Sequence, residues 1–322
     1  MALRLSALQR LLLARLVDLA VVLVAVSMIV FAMIRLIPGD AVAIMLGANT
    51  EVTPDKIAAL RAQIGLDQPI YVQYFGWISK VLQGDLGTSL WTGKPVAGEI
   101  LVHVWPTVQL TVLALVLGAG LAVPAGCLMA RLRGRGADAA MRIVTVAGLT
   151  IPSFWLGIVM ILVLAMVAPS LQLLGYVAFL DDPVGNLTRL ALPAFALGLP
   201  ILANLSRLVR SAMLDALGQD YIRTARAKGV PERGVVYRHA LRNALIPFVT
   251  SVGIMTGYLL GGAIVVEQVF AIPGLGRLIL GAIAERNYPL LQATILMVTL
   301  GFVVVNFVVD LLYLAIDPRV RA

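Results

Sequence analysis

The chain has 322 residues, 60% of them hydrophobic and only 13% charged, with a mean hydropathy of +0.96. A water-soluble globular chain is nearer half apolar and a quarter charged, so this composition excludes a soluble protein and requires lipid around much of the surface. The net charge of +8 is assigned to loops beside a membrane rather than to nucleic acid, because the Lys and Arg are not interleaved with exposed aromatics, and the single cysteine, Cys127, rules out a disulfide framework or a Cys-based metal site.

Arg4, Arg10 and Arg15 precede the apolar run Leu19 to Ile34. The run is longer than the core of a secretory signal, and no small-residue cleavage pattern follows it, so it is expected to be a retained first transmembrane helix. A bilayer core of about 30 Å needs about 20 mostly apolar residues per helix. Six segments satisfy this: Val17–Ile37, Thr107–Ala130, Ile143–Ala168, Leu190–Val209, Pro247–Val269 and Leu291–Ile316. Backbone groups in lipid must be satisfied internally, so long continuous runs mean helices rather than a barrel. The expected fold is an all-α polytopic membrane protein with six transmembrane helices.

Between the first two spans, Pro38 to Pro106 carries six acids against four bases. Thr53-Pro54-Asp55 reads as a helix start, and Ile57, Leu60 and Ile64 repeat at helical spacing before Gly65 ends the run. Tyr71, Tyr74, Phe75, Ile78 and Leu82 mark a second amphipathic helix. The segment is large enough for a small helical cap on the outer side, but not for an independent core.

Charge asymmetry orients the spans. The N-terminus, the second-to-third loop (Arg131, Arg133, Arg135, Arg142), the fourth-to-fifth loop and the tail (Arg319, Arg321) fall on one side and hold 17 of the 25 Lys and Arg. By the positive-inside rule both termini are cytoplasmic. Asp18, Arg35, Glu267 and Asp310 fall near predicted span ends, where they could snorkel or pair at the interface. With no ionisable residue near mid-membrane, ion-driven transport by this chain alone is not expected.

Pro124, Pro152, Pro193 and Pro200 lie inside spans and should kink them. In the fifth span Gly253, Gly257 and Gly261 recur every fourth residue, a small-residue face that lets another helix approach closely, within the chain or across a subunit interface.

The fourth-to-fifth loop is the most informative stretch. Asp215 to Ala227 reads as a helix with Met213, Leu217, Tyr221 and Ala225 on one face. Gly229 and Pro231 then break the chain, and Glu232 to Asn243 reads as a second helix with Val235, Val236 and His239 on one side and Arg233, Arg238 and Arg242 free. A basic loop also attracts anionic headgroups, but headgroups do not require a helix–Gly–helix elbow. The elbow reads as a docking site for a soluble partner.

Signatures of chemistry are missing from the sequence. There is no phosphate-cradling G-x-x-x-x-G-K-[ST], no H-E-x-x-H and no G-x-S-x-G, and His103 and His239 fall on opposite sides of the membrane. Asp40 lies at a helix end and reads as a turn cap. No catalytic residue, metal site or cofactor is expected.

Several stretches resemble one family, the B-type permease subunits of the peptide/nickel (dipeptide–oligopeptide) ABC importers. They are Gly65-Leu-Asp-Gln-Pro-Ile-Tyr-Val-Gln-Tyr74, Gly84-Asp-Leu-Gly-Thr-Ser89, Pro152-Ser-Phe-Trp-Leu156, Tyr221-Ile-Arg-Thr-Ala-Arg-Ala-Lys-Gly229 with Arg238-His-Ala-Leu-Arg-Asn-Ala-Leu-Ile-Pro247, Phe270-Ala-Ile-Pro-Gly-Leu-Gly-Arg277, and Asp310 to Arg319. The loop motif is similar to the family's EAA loop, with Arg223 and Thr224 standing where that pattern names Glu and Ala. The resemblance implies a type I ABC importer permease fold in a bacterial inner membrane. It implies residues 1–104 as first helix plus external segment, 105–316 as the permease core with a coupling loop over 210–246, and 317–322 as a cytoplasmic tail. Asp220, Tyr221, Arg223, Thr224, Ala225, Lys228, Gly229, Arg238 and Pro247 would form the ATPase-docking site. Partners would be a second homologous permease, two cytoplasmic ATPases holding ATP and Mg, and an extracytoplasmic substrate-binding protein. The cargo would be a di- or oligopeptide or related small solute such as glutathione, with nickel or a metal chelate as the alternative. From another class, a membrane scaffold with no transport role is the competing expectation.

Overall fold

A computed structural model describes residues 7–36, 67–171 and 173–316. The expectations for Asp40, for the helix beginning at Thr53 and for the tail after Ile316 lie outside the described residues, as do the side chains of Arg35 and Asp310. The described chain is helical: α1 Ala7–Leu36, α2 Ile70–Leu82, α3 Val96–Arg131, α4 Gly136–Thr150, α5 Ser153–Val167, α6 Pro183–Leu217, α7 Asp220–Ala227, α8 Leu241–Val269, α9 Leu275–Ala284 and α10 Tyr288–Ile316. A short α turn at Glu232–Gly234 and a π-helical turn at Val235–Ala240 lead into α8.

Parts of α1, α3, α6 and α10 are long and apolar enough to cross a membrane, and two bent pairs complete six spans if each pair counts as one. The third expected span, Ile143–Ala168, is not one straight helix. It divides into α4 and α5, bent by 103°. Pro152 cannot donate the helical hydrogen bond, and it forces Ile151 into extended backbone (φ −75°, ψ 120°). The fourth expected span is longer than its apolar run. Its helix begins at Pro183, capped by the Asp182 carboxylate, which accepts from Gly185 N at 2.9 Å, and continues past the apolar residues to Leu217.

The chain packs as two compact units. One comprises Met1–Val104 and Leu278–Val303, the other Trp105–Arg277 and Val304–Ala322. In the first, Phe31 of α1 meets Tyr74 edge-to-face at 5.3 Å and Trp77 at 5.8 Å, and the hydroxyls of Ser27 and Tyr74 are hydrogen-bonded at 2.8 Å. This leaves Tyr71, Phe75 and Leu82 on the exposed side of α2. The loop after α2 turns at Gly84, Gly87 and Gly93, all with positive φ. Asn287 holds it from the other end of the sequence: its Oδ1 accepts from Leu90 N at 3.2 Å and its Nδ2 donates to Ser89 Oγ at 2.7 Å. Replacing a buried, doubly bonded amide strands both partners, so Asn287→Ala should cost about 1–3 kcal/mol. Limited proteolysis of the 83–95 loop would report it as faster cleavage than in the wild-type chain.

In the second unit the core forms around α3, α6 and α8, with Leu110, Ala114, Leu190, Leu197, Leu205 and Val266 fully or almost fully buried. A close helix crossing brings α3 against α6. A Cβ at Gly118 would lie 2.7 Å from the Gly198 carbonyl oxygen and 2.9 Å from Ile201 Cβ, and a Cβ at Gly198 would lie 2.7 Å from the Ala114 carbonyl oxygen. About two turns further along α3, a Cβ at Gly126 would lie 2.6 Å from Val209 Cβ. Only glycine lets the two backbones meet at this distance.

Two buried acidic side chains tie the unit together. Asp138 at the start of α4 is 1% exposed and accepts from Arg210 Nε and Nη2 of α6 at 2.9 and 2.8 Å, with Arg142 at 3.8 Å. Glu267 is fully buried rather than reaching the interface as expected from its place near a span end. Its carboxylate accepts from Thr107 Oγ1 at 2.6 Å, Gly276 N at 2.8 Å and Arg277 N at 3.2 Å. It therefore caps the first turn of α9, whose backbone donors would otherwise be unpaired. Thr107 Oγ1 completes the cap by accepting from Leu275 N at 2.8 Å. Gly274 and Gly276 leave room for it, since a Cβ at either would collide with Glu267.

Candidate functional site

The basic elbow begins where α6 ends. Asp215 to Ala227 is not one helix: α6 stops at Leu217, Gly218 and Gln219 form a turn, and α7 starts at Asp220. The turn rotates the apolar face, so Ile222 (0% exposed) rather than Tyr221 (40%) points inward. Ile222 joins Met213, Ala216, Val235, Ala240 and Ala244 in the core, and Ala225 is buried on the same side of α7, which seats the elbow on both flanking helices.

Gly229 makes the corner. Its φ is +76°. Gly229 N donates to Arg226 O at 3.0 Å and Val230 N to Ala225 O at 3.2 Å. This is the Schellman arrangement that ends a helix on a left-handed residue and satisfies its last carbonyls. A Cβ at Gly229 would meet nothing within 4 Å, so glycine is needed for its dihedrals and not for space. Pro231 follows and opens the next helical turn.

Two side-chain bridges span the corner. Arg226 Nε and Nη2 donate to the Glu232 carboxylate at 3.1 and 2.8 Å. The hydrogen-bonded carboxylate holds the Arg226 guanidinium above its ordinary pKa. Both side chains are about half exposed or more, so the bridge contributes at most about 1 kcal/mol and serves mainly to set direction. Asn243 Nδ2 donates to Tyr221 Oη at 2.7 Å and links α7 to the first turn of α8. The second expected helix, Glu232 to Asn243, proves to be an α turn and a π-helical turn that run without a break into α8. Val235 and Ala240 are its buried residues, and His239 is only partly covered. α7 is thus seated against α6 by the shared core, and the turns after the corner run continuously into α8.

The sequence-derived docking residues divide by exposure. Asp220, Tyr221, Arg223, Thr224, Lys228, Gly229 and Arg238 are on the surface. Arg223 Nη1 donates to Asp220 Oδ1 at 3.3 Å, and Thr224 Oγ1 donates to Asp220 O at 3.1 Å. Ala225 is buried and packs the elbow from beneath. Pro247 lies inside α8, away from the corner. With Arg233 and Arg242 also exposed, the outer surface of the elbow is strongly basic.

The three glycines of the fifth span do not share one environment. Gly253 is buried and a Cβ there would collide with Val309 of α10; Gly257 is partly exposed; Gly261 is exposed, with nothing within 4 Å of a Cβ. Sequence reading missed the α3–α6 crossing and the Asp138–Arg210 pair. The crossing had a readable sign in α3, where Ala114, Gly118, Ala122 and Gly126 recur every fourth residue. The ion pair joins residues 72 positions apart and had no local sign. No group of three or more His, Cys, Asp or Glu able to hold a metal occurs among the described residues.

Comparison with known proteins gives three findings. Residues 122–322 match the family described as the binding-protein-dependent transport system inner membrane component, and residues 8–109 match the N-terminal membrane component of the same systems. The chain is 41% identical over 307 residues to the glutathione transport system permease protein GsiC of Escherichia coli O6:H1, covering 95% of this chain and 97% of that one, and 40% identical over the same length to GsiC of Escherichia coli K12 and of Shigella dysenteriae serotype 1. Among solved structures it is similar to a chain of the inward-facing MetNI methionine ABC transporter, with a TM-score of 0.57 at 18% identity over 68% of this chain and 96% of that one. At that identity the likeness shows the fold, that of a type I ABC importer permease.

Proposed function

Because this chain belongs to the binding-protein-dependent inner-membrane permeases and is a multi-pass permease subunit of an ABC importer, we propose that it forms half of a path for a small peptide-like solute and is driven through its basic elbow. The observation that carries the solute class is 41% identity over 95% of the chain to a glutathione permease. Di- and oligopeptides and glutathione share a backbone amide and a terminal carboxylate, and one path can accept them while a separate binding protein chooses among them.

In this reading a second, homologous permease completes the path and a binding protein delivers cargo on the outer side. Both termini and the elbow face the cytosol in this reading, which the 17 bases on that side support. Two ATPase subunits hold ATP and its magnesium and seat against Asp220, Tyr221, Arg223, Thr224, Lys228, Gly229 and Arg238, with Ala225 and Pro247 acting from behind the contact. Residues 105–316 act as the transport core, 210–246 as its coupling loop, 1–104 as the first helix with its external cap, and 317–322 as the tail. Closure of the ATPases pushes the elbow, and α6 and α8 turn with it. Gly261, open in the isolated chain, is a place for the second permease to approach.

The test is uptake by the complete importer in proteoliposomes, with labelled glutathione, a labelled dipeptide and nickel ion as separate cargoes. ATP-dependent accumulation of the first or second is the expected result. Accumulation of nickel alone would contradict the solute class, and uptake by this chain without its partners would contradict the division of labour.

A further inference from the structure

A cleft of about 650 Å³ opens between α3, α4 and α6 on the side that carries the basic loops. Arg142, Arg207 and Arg210 line it together with Asn204, and Val146 and Leu208 supply apolar wall. Its charge is strongly one-sided. Arg210 is engaged by the buried Asp138, and Arg142 stands 3.8 Å from the same carboxylate with more than half its side chain exposed. Arg207 is exposed and has no ion pair among the described residues. Two guanidiniums thus share one buried carboxylate, and the third, Arg207, lines the cleft without an ion pair among the described residues.

The depth of the cleft says which anion. Arg142 immediately precedes the apolar run that starts at Ile143, and Arg207 lies two residues from the end of the run Leu190–Val209, so both sit where a span meets the headgroup layer. Beside the cleft on α4, Ile143 (70% exposed), Val144 (66%) and Val146 (51%) present an apolar strip with no covering within the chain. A basic cleft between helices at headgroup depth, edged by an exposed apolar strip, matches a phosphate with acyl chains attached. A guanidinium fork suits the phosphate oxygens. We propose that this cleft is a binding site for one anionic phospholipid, with its phosphate on Arg207 and Arg142 and its acyl chains along the α4 strip. Asp138 is the positioning residue: it fixes Arg210 against α4 and leaves Arg207 free for the lipid.

The experiment uses the full-length chain in its purified membrane complex, exchanged into phosphatidylcholine with or without phosphatidylglycerol, and counts retained phosphatidylglycerol by native mass spectrometry. Wild type should retain it, and Arg207→Gln and Arg142→Gln should each lower its affinity about fivefold. Arg133→Gln, an exposed base outside the cleft, should change nothing. Both cleft variants keep the Asp138–Arg210 pair, so folding is preserved. Equal retention in all variants, or an equal loss with Arg133→Gln, would overturn the site. Displacement of phosphatidylglycerol by free glycerol phosphate at similar concentration would show a soluble oxyanion in its place and overturn the lipid assignment. Absence of retained lipid in the wild-type complex, with the cleft covered by a partner subunit, would overturn it as well.

Discussion

Gly118→Leu is expected to abolish assembly of the folded permease, whereas Gly120→Leu, two residues away on the same helix, is expected to leave it intact. The two differ only in what surrounds them. A Cβ at Gly118 would be 2.7 Å from a backbone carbonyl oxygen of α6, and a Cβ at Gly120 would meet nothing within 4 Å. A backbone oxygen cannot rotate away as a side chain can, so α3 and α6 must separate. Overpacking of this kind costs about 1–3 kcal/mol and sometimes more. At the upper end that is roughly a hundredfold in the folded fraction. Separation also removes contacts along the rest of the crossing, because Gly126 and Gly198 depend on the same spacing. Size-exclusion profiles of detergent-extracted variants would measure it. Equal profiles for Gly118→Leu and Gly120→Leu would mean that the crossing is looser than described.

Gly229→Val is expected to stop uptake while the protein stays in the membrane at normal level. With φ at +76°, valine at this position is strained by about 1–2 kcal/mol, and its branched Cβ makes the left-handed region still less accessible. The corner then opens to a more extended backbone, and Pro231, Glu232 and the π-helical turn move relative to α7. Nothing in the core is displaced, since no atom lies within 4 Å of the new Cβ. Gly229→Asn separates the two effects: asparagine tolerates left-handed backbone, so this variant should keep most of the transport. Uptake assays beside quantitation of the chain in membranes would decide. Normal uptake in Gly229→Val would mean that the elbow does not transmit force.

The transmembrane plan was legible because long apolar runs in lipid admit only helices. The break between α4 and α5 was half legible. Pro152 announced a kink and an extended residue before it, but the size of the 103° bend is set where α4 and α5 both pack on α6, which local sequence does not show. The corner at Gly229 and Pro231 was readable because both residues act through their own backbone. The direction of α7 was not, because the turn at Gly218 and Gln219 shifts the helical register and brings Ile222 inward in place of Tyr221. Glu267 lay near a span end and so suggested an interface. Only the folded chain brings Thr107 and the start of α9 to its carboxylate. In the fifth span the glycine repeat drew attention, and Gly253 packs against Val309, but a second close approach uses the alanine–glycine repeat of α3, where two residue types share one stripe.

The central claim is that the elbow is where the ATPase drives this permease. Cys127 is the only cysteine in the chain and is buried, so Lys228→Cys in an otherwise unchanged complex supplies one exposed thiol at the corner. A short thiol-to-amine cross-linker added to the assembled importer is predicted to join this position to an ATPase subunit, with a yield that changes when ATP is bound. Cross-linking only to the binding protein, or to no other subunit in either nucleotide state, would contradict the claim.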